Sequence, residues 1–421
     1  MISAILFSKI YLKRAGTPNC LGLGWKLVLT LRFCLVKCFS NNFRTRWFGC
    51  QSLEACGFRQ GSSHELLREE IEKILIVKTS SLGDVIHCFP ALDCLCRLFP
   101  KSTIDWVVEK PFAPVLKAHP HVRCVHEIET KKWRAAPFRW AHWKAAHRAR
   151  WSLRRTCYDL GIDFQGNLKS GLIMGMTRSK KKIGFGKNSV TEWPNLLFTN
   201  KKIDVDISKP VSEQYLNLVA QAFPKRRAEG SFQVRLEISE MEKVWIQGQM
   251  RASFRVMVCM GSHWTNKRLA LDTWKSFLKR IEKKWSPIFY FVWGNQREKE
   301  EVEKLKKYFP SSSIVLPRMS VPVWQRMISE MHLLFSVDSS ALHLAATTPT
   351  PTYSFFGPSS PEIYKPPGRH HRCYRGVCPY GQVFIKRCRR LRTCTSGACL
   401  KTARSDLLFD HFLSEFSQEL L

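Results

Sequence analysis

The sequence predicts an α/β protein made of two parallel-sheet domains, and three observations predict it. Short apolar runs alternate with helical patterns from residue 71 onward, the signature of β-α-β units. The alternation stops in a charged stretch around Pro224–Glu242 and then starts again, which marks a boundary between two blocks. The chain is 421 residues long and 44% hydrophobic, enough to fill two ordinary cores.

In the first block the strands are expected at Ile74–Val77, Thr103–Val108, Arg123–Ile128, Asp159–Phe164 and Lys182–Phe185. In the second they are expected at Arg255–Met260, Ile288–Trp293, Ser313–Leu316, Leu333–Val337 and Thr352–Phe356. Each is a short run rich in aliphatic or aromatic residues, as a strand covered on both faces requires. Ser405–Leu421 reads as an amphipathic terminal helix. The expected organisation is an extension over 1–70, one domain over 71–235, a second over 240–402 and the helix over 403–421.

The extension fits neither block. Leu21–Phe39 is apolar but broken by Lys26, Arg32 and Lys37, short of the roughly 18 uncharged residues that a spanning helix needs. A poorly ordered extension is expected there, with an interfacial anchor as the alternative. The formal net charge of +33 points to a polyanionic partner: nucleic acid, an anionic membrane surface or a phosphorylated substrate. The chain has sixteen cysteines. Cys88, Cys94, Cys96 and Cys259 fall inside apolar patterns, as free thiols in a reducing compartment do.

Ligands in such folds sit beyond the carboxyl ends of the strands, so the loops that follow strands are the candidates. The first is "VKTSSLGDVIH", where a buried strand runs into Lys78 and a polar loop with one carboxylate, Asp84. Two readings compete for Asp84: an N-cap of the next helix or a general base at a cleft. The second loop, "MGSHWTNKRLALDTW", brings Gly261, Ser262, His263, Asn266, Lys267 and Arg268 off a strand, as a phosphate site would. In the third, "LLFSVDSSALHLAA", Asp338, Ser339 and Ser340 precede an apolar helix, with His343 one turn inside. Free backbone N–H groups at such a start suit an anion.

Three further features carry weaker signals. Asp204 and Asp206 have the spacing of a metal-holding D-x-D, but two lysines precede them and no third ligand follows, so an exposed strand face is expected instead. The tract from Lys131 to Arg155 interleaves cations, beginning with Lys131, Lys132 and Arg134, with five large aromatics and contains no acid. It suits an anionic headgroup layer or single-stranded nucleic acid. Cys373, Cys378, Cys388, Cys394 and Cys399 are spaced without a C-x-x-C, which leaves a structural zinc site weakly supported.

Taken together and in order, the three loops resemble the heptosyltransferases of lipopolysaccharide core synthesis, glycosyltransferase family 9. "TIDWVVEKPFAPV", "IDFQGNLKSGLI", "LPRMS" and "FFGPSSP" add to the resemblance, which covers roughly residues 72–415. The first loop is similar to that of the members that add the first heptose. The resemblance implies the GT-B arrangement, two facing Rossmann-like domains with the active site in the cleft between them. It implies inverting transfer from ADP-L-glycero-β-D-manno-heptose to the inner Kdo of Kdo–lipid A, without metal or other cofactor, at the cytoplasmic face of the inner membrane. Asp84 would then be the base and Lys267 the diphosphate ligand, with Ser262 and His263 beside it. Asp338, Ser339, Ser340 and His343 would line the diphosphate and heptose pocket, Glu298 would hold the ribose and Met319 would meet the adenine. Lys131, Lys132 and Arg134 would face the acceptor or the membrane.

The chain departs from the family in two places. Ser339-Ser340 stands where Thr-Gly is common, and Thr191 stands before Glu192 where an arginine is common. The rival readings are a family 9 transferase with another acceptor, and a basic nucleic-acid-binding protein. No nucleic-acid motif supports the latter, and it gives Asp84 and the Asp338–His343 turn nothing to do.

Overall fold

The computed structural model describes residues 70–130, 132, 140–226, 228–251 and 253–416, with the side chains of residues 141–143 left out. Among the described residues, twelve strands form two six-stranded sheets. The first sheet comprises β1 (Lys73–Val77), β2 (Thr103–Glu109), β3 (Cys124–Ile128), β4 (Cys157–Asp163), β5 (Arg178–Phe185) and β6 (Lys201–Ile203). The second comprises β7 (Arg255–Cys259), β8 (Ile288–Phe291), β9 (Ser313–Val315), β10 (Leu333–Val337), β11 (Thr352–Phe356) and β12 (His371–Arg375). All pairings are parallel.

The orders β3-β2-β1-β4-β5-β6 and β12-β11-β10-β7-β8-β9 are the same order read in two blocks. Each block starts at the centre, winds outward to one edge, returns and winds to the other, as Rossmann sheets do. The switch point falls between β1 and β4 in the first sheet and between β7 and β10 in the second. Ile74, Leu75, Ile76 and Val77 are fully buried because β1 is central and covered on both faces. The same holds for Leu334, Phe335 and Val337 on β10.

Helices close the layers. Helix α1 (Leu82–Ile86) follows β1, and the basic helix α2 (Trp140–Arg155) precedes β4. Helix α3 (Leu271–Trp285) buries Trp274, Phe277, Leu278 and Ile281, one stripe at helical spacing. It stops at Ser286, which takes the left-handed conformation just before Pro287. Helix α4 (Ser340–Ala345) follows β10, and α5 (Ser405–Phe416) packs on the second sheet, where Phe412 meets Phe277 and Phe335 edge-on at 6.2 and 5.4 Å. Such aromatic pairs contribute about 0.5–1.5 kcal/mol each beyond burial. The segment joining the blocks runs along the second one: Val234 N donates to Thr347 O (3.1 Å) and Leu236 N to Gln325 Oε1 (3.3 Å).

Two strands, β6 and β12, escape the apolar-run reading because they are short, polar edges. The expected strand face at Asp204 and Asp206 is also corrected. β6 ends at Ile203, and the aspartates instead serve two separate turns, Asp204 the one at Asn188 and Asp206 its own. Asp204 accepts from Asn188 N (2.7 Å) and Nδ2 (3.1 Å), and Asp206 accepts from Ser208 N (2.9 Å) and Oγ (2.6 Å). The two carboxylates do not share a ligand set.

Candidate active site

The loops after β1, β4, β7 and β10 meet at the two switch points. After β1, the backbone N–H groups of Thr79 and Ser80 donate to Gln165 Oε1 (3.1 and 3.3 Å) in the loop after β4. Trp106 Nε1 donates to Lys78 O (3.0 Å), so the chain leaves β1 along a fixed path. Ser81 caps α1, and Asp84 is the third helical residue. This corrects the N-cap reading: Asp84 closes a capping box from inside the first turn. Its Oδ2 accepts from Ser81 N (2.9 Å) and Ser81 Oγ (2.7 Å). Among the described residues nothing hydrogen-bonds Oδ1, which leaves one carboxylate oxygen for a ligand.

Burial pushes the Asp84 carboxyl up, but the Lys78 ammonium and the two Ser81 hydrogen bonds override it and hold it at about 2. The group is surrounded by protein yet keeps part of its surface accessible. Lys78 is a residue that the motif reading passed over. It is buried, and its Nζ donates to Tyr215 OH (2.7 Å) and Phe164 O (3.1 Å). A cation at the end of a buried strand needs such partners, and that is the sequence signal that could have found it.

The second half supplies a different set. Lys267 and Asp338 form a buried ion pair, and Ser359 Oγ donates to the same Asp338 oxygen. His343 Nε2 lies 3.8 Å from the other oxygen, Oδ1. Burial pushes the Asp338 carboxyl up, but the Lys267 ammonium overrides it and the carboxyl stays below its ordinary value. Burial also holds His343 below the usual imidazole range. One carboxylate oxygen occupies one direction of the Lys267 ammonium, whose three N–H donors leave others for an anion.

Around this pair the other expected donor ligands are placed as follows. Ser262 is buried, His263 exposed, and Ser339 and Ser340 half-buried at the start of α4. Glu298, in the first turn of the helix after β8, accepts from Gly294 N (2.8 Å) and Arg268 Nη2 (3.2 Å). Arg268 also donates from Nε and Nη2 to Ser262 O (2.9 and 2.6 Å), tying the loops after β7 and β8 together. Arg268, already in the second loop, and Ser359, in the FFGPSSP segment, thus join the site as supports. Met319 is half-buried in the loop after β9. All of these lie beyond the carboxyl ends of the second sheet.

The two halves touch where the elements after β1 and β10 meet. A Cβ on Gly83 would lie 2.6 Å from His343 Cδ2, so only glycine lets α1 approach α4 this closely. Of the three basic residues expected to face the acceptor, Lys131 and Arg134 lie outside the described residues, and Lys132 pairs with Glu129 at the surface (2.6 Å). Helix α2 exposes Trp140 and Trp151, with the Arg155 guanidinium 4.1 Å over the Trp151 ring. Among the described residues no helix is long and apolar enough to cross a membrane. Asp105, Cys124 and His126 cluster at metal-ligand spacing on β2 and β3. Asp105 Oδ2, however, already accepts from Arg123 (2.6 Å) and Tyr158 (2.8 Å), so a cation is already in place there.

The sequence profile of glycosyltransferase family 9 (heptosyltransferase) matches residues 146–390. The chain is 30% identical over 298 residues to lipopolysaccharide heptosyltransferase 1 of Pseudomonas aeruginosa, spanning 69% of this chain and 79% of that protein. It is 28% identical over 294 residues to lipopolysaccharide heptosyltransferase 1 of Escherichia coli K12, spanning 69% and 89%. In fold it is similar to the E. coli heptosyltransferase WaaC solved with ADP, with a TM-score of 0.68 at 23% identity over 82% of this chain and 99% of that one. The E. coli ADP-heptose heptosyltransferase II follows at 0.61 and 17%, over 83% and 100%. The chain therefore belongs to glycosyltransferase family 9, the heptosyltransferases.

Proposed function

We propose that this chain transfers heptose from ADP-L-glycero-β-D-manno-heptose to the inner Kdo of Kdo–lipid A in lipopolysaccharide core synthesis, with inversion and without a metal or other cofactor. The observation that carries the reading is the meeting of Asp84, from one half, with the Lys267–Asp338–His343 set of the other. The relatives named above are lipopolysaccharide heptosyltransferases, and WaaC was solved with ADP.

In this reading Asp84 Oδ1 accepts the proton of the acceptor hydroxyl as the new C–O bond forms. Lys267, with the hydroxyls of Ser339 and Ser340, takes the negative charge that develops on the departing diphosphate. Attack from one half and departure towards the other give displacement with inversion. Lysine supplies the charge that a metal would otherwise bring. Glu298 and Met319 hold the ribose and adenine, and Ser262 and His263 flank the phosphates. The protein works as a peripheral enzyme at the cytoplasmic face of the inner membrane, where Lys131, Lys132, Arg134 and the acid-free face of α2 meet anionic headgroups.

The test is direct. Purified protein with ADP-heptose and Kdo–lipid A yields one heptose-extended product and one ADP per transfer, without added divalent cation and with chelator present. Stabilisation by ADP without transfer to Kdo–lipid A would leave a family 9 enzyme with another acceptor. Stabilisation by oligonucleotide alone would favour the nucleic-acid rival. On vesicles, binding rises with anionic lipid content and falls with salt. Replacing Lys131, Lys132 and Arg134 by Gln weakens it; salt-insensitive binding would remove the membrane role.

A further inference from the structure

His87 follows α1 directly and closes its C-terminal end. It is buried, and both of its ring nitrogens lie out of solvent without a hydrogen-bond partner. Its ring stands 4.3 Å from that of His343, across the junction of the two halves. His343 Nδ1 is likewise buried and unpartnered. Three imidazole nitrogens with no partner therefore converge between Asp84 and Asp338, each of which acts electrostatically on both histidines.

A buried polar atom without a partner is costly, and native folds keep such atoms for a reason. Burial holds His87 well below the usual imidazole range, with the His343 ring adding to it, so the ring is neutral. A neutral imidazole offers one N–H donor and one acceptor nitrogen. A sugar hydroxyl offers the complementary pair. Phosphate lacks the donor for the acceptor nitrogen, and an apolar group lacks both.

Resting on the transferase reading above, we infer that His87 is a substrate-binding residue whose imidazole takes a sugar hydroxyl at the reacting centre, opposite His343. A sugar entering between Asp84 and Asp338 parts the contact of His343 with His87 and Gly83 and satisfies the stranded nitrogens. The packing of His343 on His87 and Gly83 leaves these polar atoms unmet, and the hydroxyl of the substrate supplies the missing partners.

His87→Phe keeps a ring of similar volume and removes both polar atoms, whereas His87→Gln keeps a donor and an acceptor. With His87→Phe, kcat/KM for heptose transfer falls roughly 10- to 100-fold, the loss of one or two hydrogen bonds to substrate. ADP, which lacks the sugar, binds this variant within about twofold of wild type, and His87→Gln recovers part of the transfer. A structural role alone would lower ADP binding together with transfer. In wild-type protein with ¹⁵N-labelled histidine, ADP-2-deoxy-2-fluoro-heptose or Kdo–lipid A shifts the His87 ring nitrogens and ADP alone does not. A shift with the first assigns the hydroxyl to the transferred sugar, and a shift with the second alone assigns it to the acceptor. Wild-type kcat/KM in His87→Phe, or ring nitrogens indifferent to both ligands, overturns the inference. Absence of transfer by the wild-type protein would instead sink the transferase reading, so the two failures are distinct.

Discussion

The two halves of this chain share one strand order and place oppositely charged side chains on it. In the first, the loop after the central strand is held by neutral groups, the Gln165 amide and the Trp106 indole, and presents a carboxylate with one unengaged oxygen. In the second, the equivalent loop presents a lysine locked to the aspartate after β10, with a serine and a histidine around them. In the proposed reaction the first half would offer its single anion to accept a proton, and the second its cation to meet a leaving anion. Topology decides where the loops gather, and the side chains on them decide what the gathering does.

The largest expected effect tests the first half. The substitution Asp84→Asn keeps the size of the side chain and an acceptor for the Ser81 capping bonds, but removes the base. General-base contributions are typically ~10²–10⁴-fold, and kcat falls by that order while ADP-heptose affinity is unchanged. Turnover near wild type would reduce Asp84 to its capping role and abolish the contrast between the halves.

Lys267→Ala tests the second half and produces the opposite profile. A charge-assisted contact to a diphosphate contributes on the order of 2–4 kcal/mol, so kcat/KM drops about 30- to 1,000-fold and ADP binding weakens with it. The variant also leaves Asp338 buried beside only His343 and Ser359, so its melting temperature falls. Unchanged kcat/KM in folded Lys267→Ala sinks the assignment. If Lys267→Ala spared ADP binding and Asp84→Asn destroyed it, the roles of the halves would be exchanged.

The sequence made most of this division legible, for definable reasons. The central strands β1, β7 and β10 are nearly unbroken apolar runs, so they stand out, and with them the three loops that carry Asp84, Lys267 and Asp338. The edge strands β6 and β12 do not stand out, because Lys201, Lys202, Arg372 and Arg375 interrupt the apolar pattern where the edges reach solvent. Asp204 and Asp206 look like a strand pair because spacing cannot show that Asn188 and Ser208 already use them. Lys78 and His87 were passed over because what matters about them lies far along the chain. Tyr215 is 137 residues beyond Lys78, and His343 reaches His87 only when the halves meet.

The smallest expected effect concerns acid, and it treats the halves alike. Burial holds His119 in the first half and His371 in the second at about 3, far below the usual imidazole value of 6.5. A histidine kept neutral in the fold binds its proton in the unfolded chain first. Its contribution to stability is therefore complete above pH 6.5 and declines as pH falls below that value, by about 1.4 kcal/mol per pH unit for each such residue. Asp84 has the same sign in a lower window: with its pKa held at about 2, its contribution is complete above the ordinary 3.8 and fades as pH falls towards 2. Between pH 7 and 5 these histidines, with His87 and His343 held low in the same direction, contribute a falling melting temperature. His119→Gln and His371→Gln should each remove one proton's worth of that slope, equally in the two halves. A melting temperature that is flat from pH 7 to 5 would mean that these rings are not held neutral. A slope lost in only one variant would show that acid separates the halves after all, with the surviving half carrying the stability.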